Sequence, residues 1–180
     1  MLALRPTRLA MLVLAIVLGG MSWIYAQQRQ TAGTLTTQDY IDIQMLYGQY
    51  NFAFDFGNAE EWVALFTPDG ALNRVRGHDD LLTFSSRGRE ARAKGTGHRH
   101  VISNLVIKGT PEGATGQCYL MMVNPTVKPA AITLTETYED HLVKTPQGWR
   151  FKTRMTMSDE VATSYSRVPR TTLPDPLARR

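Results

Sequence analysis

The residues best placed to move a proton lie in Gly97-His98-Arg99-His100-Val101-Ile102-Ser103-Asn104-Leu105-Val106-Ile107. The run ends in β-branched residues and reads as a strand. Alternation then places His98, His100, Ile102 and Asn104 on one face, with Val101, Ser103, Leu105 and Ile107 on the other. A face that mixes imidazole and amide with apolar groups suits a partly enclosed pocket. An unperturbed imidazole titrates near pH 6.5, so His100 is the candidate general base, able to take a proton from a carbon beside a carbonyl at neutral pH. The other reading of His100 is a buried histidine satisfied by its neighbours. His98, nearer the start of the strand, is expected at the rim or in a structural role.

Other chemistries have less behind them. His98-x-His100 could hold a metal with His141 and an acid, but no carboxylate follows at the spacing typical of a cupin. No Gly-x-Ser-x-Gly occurs, and Cys118 carries no sign of activation. As the only cysteine, it rules out an internal disulfide and a cysteine-based zinc site. Phosphate loops and dinucleotide glycine fingerprints are absent. The formal charge of +4 and pI of about 9.4 owe much to Arg5 and Arg8. No basic stripe with interleaved aromatics marks a nucleic-acid surface.

Those two arginines precede an apolar run from Leu9 to Leu18 and then Gly19-Gly20-Met21-Ser22-Trp23-Ile24-Tyr25-Ala26, the three-part layout of a secretory signal. Residues 1–26 are therefore expected to be a signal peptide cleaved after Ala26, or a membrane anchor if uncleaved, since Leu9 to Tyr25 just reaches bilayer-spanning length. Export to the periplasm or beyond follows. Residues 27–35 read as a polar tether and 36–159 as one domain. After Asp159, the prolines of residues 160–180 among Arg, Thr and Ser suggest a disordered tail.

Positioning elements can be read from caps and periods. Thr36 with Asp39 forms a capping box ahead of Ile43, Leu46, Tyr47, Tyr50 and Phe54, predicting a helix of about five turns. Asn58 with Glu61 caps a short helix facing Trp62, Leu65 and Phe66. Thr67-Pro68-Asp69-Gly70 reads as a turn, residues 71–76 as a short strand, and Gly77-His78-Asp79-Asp80 as the start of a third helix. Arg87 to Gly95 looks basic and mobile. Long strands follow at 116–123, 132–144 and 149–157, the last two joined by a hairpin at Thr145-Pro146-Gln147-Gly148. Asp140 and His141 are expected to point outward. Helices first and antiparallel strands after argue for an α+β domain.

Several local patterns share one order: Tyr50-x4-Asp55, Glu61-Trp62 before Leu65-Phe66-Thr67-Pro68-Asp69-Gly70, Gly77-His78-Asp79-Asp80-Leu81, Arg99-His100-x3-Asn104, and Tyr138-Glu139-Asp140 through Gly148-Trp149-Arg150-Phe151. In this the chain resembles the SnoaL-like branch of the nuclear-transport-factor-2-like (NTF2-like) superfamily, over residues 36–159. The resemblance implies a cone of three N-terminal helices packed on a strongly curved antiparallel sheet, often dimeric through the sheet.

Enzymes of this kind, scytalone dehydratase and bile-acid dehydratases among them, use an imidazole on the first long strand with a tyrosine and an aspartate from the first helix. The resemblance puts these roles on His100, Tyr50 and Asp55. It implies substrate contacts from Arg154, in a region where relatives hold a carboxylate or thioester, and pocket-lining roles for Asn104, Tyr119 and Trp62. The alternative for Arg154 is an ion pair with Asp140 or Glu136. The acid or histidine of the second long strand is missing: residues 116–123 offer only Gln117 and Tyr119.

The resulting expectation is a cofactor-free lyase or isomerase, dehydratase-like, acting on a small hydrophobic carbonyl compound, without a metal. The alternative is a non-catalytic module that binds a hydrophobic ligand or dimerises. A homodimer through the sheet is the expected assembly, with no nucleic-acid partner and membrane contact only through an uncleaved N-terminal segment.

Overall fold

The structure, a computed structural model, describes residues 33–93 and 97–158. The signal or anchor, most of the tether and the 160–180 tail lie outside those residues. Helix α1 (Thr37–Asp55) opens on the capping box: the Thr36 side chain accepts from the Asp39 N–H, and Asp39 accepts from the Thr36 N–H. Asn58 and Glu61 repeat the device for α2 (Ala59–Val63). The third helix, α3 (His78–Ala93), continues through residues expected to be mobile. Among the described residues, no helix is long and apolar enough to cross a membrane.

Six strands form one sheet: β1 (Phe66–Leu72), β2 (Val75–Arg76), β3 (Arg99–Thr110), β4 (Gly113–Asn124), β5 (Ala131–Thr145) and β6 (Gly148–Ser158), in the order β2-β1-β6-β5-β4-β3. Every pairing is antiparallel except β1 with β6. The expected turn at Thr67-Pro68-Asp69-Gly70 instead lies inside β1. There the register with β6 shifts between Phe66 and Ala71, so the segment bends as an irregular edge. The chain reverses afterwards, at Asn73-Arg74, where Asn73 takes φ 53°.

Three helices cover one face of the sheet. Ile43, Leu46, Tyr47 and Tyr50 of α1 meet Trp62, Phe66, Leu81, Ala114, Cys118, Leu120, Tyr138, Leu142, Trp149 and Phe151 in a single core. Cross-strand partners share a face, so the inner surface can be read in rows: His100, Met122 and Leu134; then Ile102, Leu120, Glu136 and Ser158; then Cys118, Tyr138 and Thr156; then Gly116, Asp140 and Arg154. The outer face exposes Val101, Val106, Tyr119 and Met155.

Asp39 ties the start of α1 to the sheet. Its carboxylate accepts from Lys144 Nζ at 2.7 Å, from Trp149 Nε1 at 3.0 Å and from the Thr36 N–H at 2.9 Å and hydroxyl at 2.7 Å. Lys144 above all, and Thr36 next, hold this carboxyl well below the usual carboxylate range. Asp39→Ala removes a cap and strands the buried Trp149 N–H, so it is expected to cost about 2 kcal/mol in urea unfolding. Since folding lowers this pKa, the contribution is complete above about pH 4 and is lost as pH falls further. The gap between Asp39→Ala and the unsubstituted chain should therefore narrow in acid.

Candidate functional site

The last turn of α1 meets the first residues of β3. Asp55, at the helix end, accepts the backbone N–H of His100 on Oδ2 at 2.9 Å and contacts His100 Nδ1 through Oδ1 at 2.5 Å. The two side chains are 4% and 8% exposed respectively. A carboxylate buried this far needs partners, and His100 supplies two. An ionised carboxylate only accepts, so the geometry puts the proton on Nδ1 and leaves Nε2 as the basic nitrogen. Phe54 packs perpendicular to the imidazole, with 5.2 Å between ring centres and 87° between planes.

Beside His100 the inner surface is apolar and only partly buried, with Ile102, Met122 and Leu134. One carboxylate interrupts it, Glu136, in the next row. Sequence reasoning considered Glu136 only as an ion-pair partner for Arg154. The signal was present: alternation from Tyr138 and Leu142 carries 136, 138, 140 and 142 to one face.

Asp140 follows the same alternation and is a correction: it points inward and is 2% exposed. Its carboxylate accepts from Arg154 Nε and Nη2, both at 2.8 Å, and from the Tyr47 hydroxyl. Gly116, opposite Asp140, makes room for this, because a Cβ there would lie 2.1 Å from the Tyr47 hydroxyl. The Arg154 guanidinium is 0% exposed. It lies 4.1 Å from the Tyr50 and Tyr138 ring centres, 4.2 Å from that of Phe151 and 4.9 Å from that of Tyr47. Of the two expected partners, Asp140 holds it, and that position leaves no surface for an external carboxylate.

The other expected residues are distributed differently. Tyr50 is buried among Phe54, Trp62, Phe66, Tyr138 and Phe151. Burial, partly offset by Arg154, raises its phenol pKa. Trp62 is fully buried in the same cluster. Tyr119 lies on the outer face, 51% exposed, which corrects its pocket-lining placement.

Asn104 is corrected by a bulge. The register of β3 on β4 shifts between Ser103 and Val106, Asn104 adopts φ 57° and is exposed, and Leu105 and Ile107 turn onto the core face with Ile102. Simple alternation had put those two residues on the far side. Among the described residues, no group of histidine, cysteine, aspartate and glutamate is arranged to hold a metal. His141 is exposed on the outer face of β5, away from the inward His100.

Comparison with known proteins agrees with this architecture. The SnoaL-like domain family matches residues 36–155. The chain belongs to that family. Its fold is NTF2-like, as solved structures show. A cystatin-like-fold protein of unknown function from Nostoc punctiforme is 25% identical with a TM-score of 0.60, over 69% of this chain and 94% of that one. An NTF2-like protein from Novosphingobium aromaticivorans is 20% identical with a TM-score of 0.62, over 79% and 93%. A candidate scytalone dehydratase from the same organism is 21% identical with a TM-score of 0.55, over 68% and 88%. Among curated proteins, none matches the chain.

Proposed function

We propose that this SnoaL-like protein carries out cofactor-free proton-transfer chemistry, as a dehydratase-like lyase or an isomerase, on a small hydrophobic carbonyl compound. The observation that carries this reading is the buried Asp55–His100 pair beside an apolar inner surface. His100 Nε2 takes the proton alpha to the carbonyl, and the electron pair moves onto the carbonyl oxygen as an enolate. Asp55 stabilises the imidazolium that forms. Collapse of the enolate expels a β-hydroxyl that takes the proton from His100 and leaves as water. In an isomerisation, His100 returns the proton to a different carbon.

The likeness to the candidate scytalone dehydratase supports the class of reaction. The N-terminal layout supports export, with membrane attachment if the segment is retained, and the exposed Val101, Val106, Tyr119 and Met155 of the outer sheet face support a homodimer through the sheet.

One observation favours the alternative of a binding module without catalysis: the inner face of β4, with Gly116, Cys118, Leu120 and Met122, offers neither an acid nor an imidazole. Turnover of enones and β-hydroxy ketones by the purified protein separates the two. A rate that His100→Ala leaves unchanged rejects the catalytic reading, and loss of that rate with retained ligand binding supports it.

A further inference from the structure

The inner face of the sheet holds one carboxylate that the proposed chemistry leaves unused. Glu136 lies on β5 in the row of Ile102, Leu120 and Ser158, next to the row that carries His100, Met122 and Leu134. Alternation from the buried Tyr138 and Asp140 sends its side chain to that same inner face. It is half-buried, between the fully buried Leu120 and the end of β6. The neighbouring buried carboxylates have fixed uses: Asp55 holds His100, and Asp140 holds Arg154.

We propose that Glu136 determines which substrates this site accepts: it receives a hydrogen bond from a hydroxyl on the side of the substrate remote from the acidic carbon, and refuses a carboxylate there. The role rests on His100 being the base, which fixes where the acidic carbon lies. A carboxylate has about four acceptor positions, so bonds that Glu136 makes within the protein leave room for a ligand's donor. Neither its row nor the row of His100 carries a lysine or an arginine. Arg154, on the same face, is 0% exposed and bonded through Nε and Nη2 to Asp140, so it does not offset the charge of an anionic ligand. Such a ligand would meet the Glu136 carboxylate across an apolar surface, where repulsion is weakly screened. A hydroxyl meets a charge-assisted acceptor instead.

Sheet geometry gives the span. His100 and Glu136 stand two strands and two residues apart, which places their Cα atoms roughly 12 Å from each other. With both side chains projecting from the same face, a hydrogen bond at one end and a proton-transfer contact at the other take up about 3 Å each and leave about 6 Å for the substrate. That is the distance across one six-membered ring, from a para hydroxyl to the carbon attached opposite it. A ketone whose acidic carbon is attached to such a ring reaches both ends, with Ile102, Leu120 and Met122 as the apolar surface between them.

Calorimetric binding of para-hydroxyphenylacetone, phenylacetone and para-carboxyphenylacetone tests this, with exchange of their α-protons in deuterium oxide as a separate readout of His100. The unsubstituted protein is expected to bind the hydroxyl compound about 10–100-fold more tightly than phenylacetone, the range for a hydrogen bond to a charged group. It should bind the carboxylate at least tenfold more weakly than phenylacetone. Glu136→Gln keeps the shape and an acceptor but removes the charge. It should cut the hydroxyl preference to about threefold or less and tighten binding of the carboxylate at least tenfold. His100→Ala should abolish exchange and leave both preferences unchanged. Equal affinity of the unsubstituted protein for all three compounds overturns the proposal. So does failure of all three to bind at millimolar concentration, or a Glu136→Gln variant that keeps both preferences. Exchange that depends on His100 without any hydroxyl preference rejects the role of Glu136 and leaves the proton-transfer reading standing. A hydroxyl preference that Glu136→Gln removes, with no exchange of any compound, supports Glu136 and rejects the reaction.

Discussion

Asp55→Asn is expected to lower turnover by about 10²–10⁴-fold while ligand affinity changes by less than about threefold, and His100→Ala to match it. The size follows from the range for a positioned general base. The reason that a helix carboxylate matters as much as the base lies in the geometry. Asp55 contacts both the backbone N–H and Nδ1 of His100, so it fixes the ring's position and its tautomer together. An asparagine that keeps its carbonyl on the backbone N–H turns its amide N–H toward Nδ1. The imidazole can then satisfy that donor only by moving its own proton to Nε2, the nitrogen that must accept one. Steady-state kinetics on a responsive enone or hydroxy-ketone, with calorimetric binding of the product, separates lost chemistry from lost binding. A variant whose kcat and binding fall in parallel would point to collapse of the helix end rather than to a catalytic dyad.

Asp140→Ala is expected to be the most destabilising single change, at about 3–5 kcal/mol, or roughly 10–20 °C in Tm. It would leave a guanidinium with no exposure and no counter-ion, and strip the Tyr47 hydroxyl of its acceptor. The surrounding rings favour a cation, but cation–π attraction of order 2 kcal/mol does not replace a bidentate carboxylate. Removing both charges should be milder. Asp140→Leu with Arg154→Met is expected to recover at least half the loss, because an apolar pair of similar volume needs no partner. Chemical denaturation of the single and double variants measures the coupling directly. If Asp140→Ala unfolds within about 1 kcal/mol of the unsubstituted chain, the ion pair does not hold the core together.

Much of the fold was legible locally. The capping boxes at Thr36 and Asn58 bond their own N-terminal turns, within three residues, and both formed as read. The long strands expected at 116–123, 132–144 and 149–157 were visible as apolar and β-branched runs between turn residues, and the structure extends each of them. Reading failed where the pattern hid a change of geometry. Arg87 to Ala93 looked mobile by charge yet continues α3. Asn104 looked inward by alternation, but one extra residue in β3 turned it out and carried Leu105 and Ile107 in. Nothing in those residue types announces a bulge, since it is fixed by pairing with β4.

The sequence alone determined the class of fold and the order of its elements, because caps, periods and turns are contests among near neighbours. It also supplied the candidate base, since only an imidazole titrates near neutrality. Tertiary structure decided the rest. It set Asp55 against His100 across 45 residues of chain. It committed Arg154 to Asp140 rather than to a ligand, and turned Ile41, Met45 and Phe52 of α1 away from the core. These outcomes depend on which buried charges meet which partners, and burial costs become definite only once the chain has closed around them.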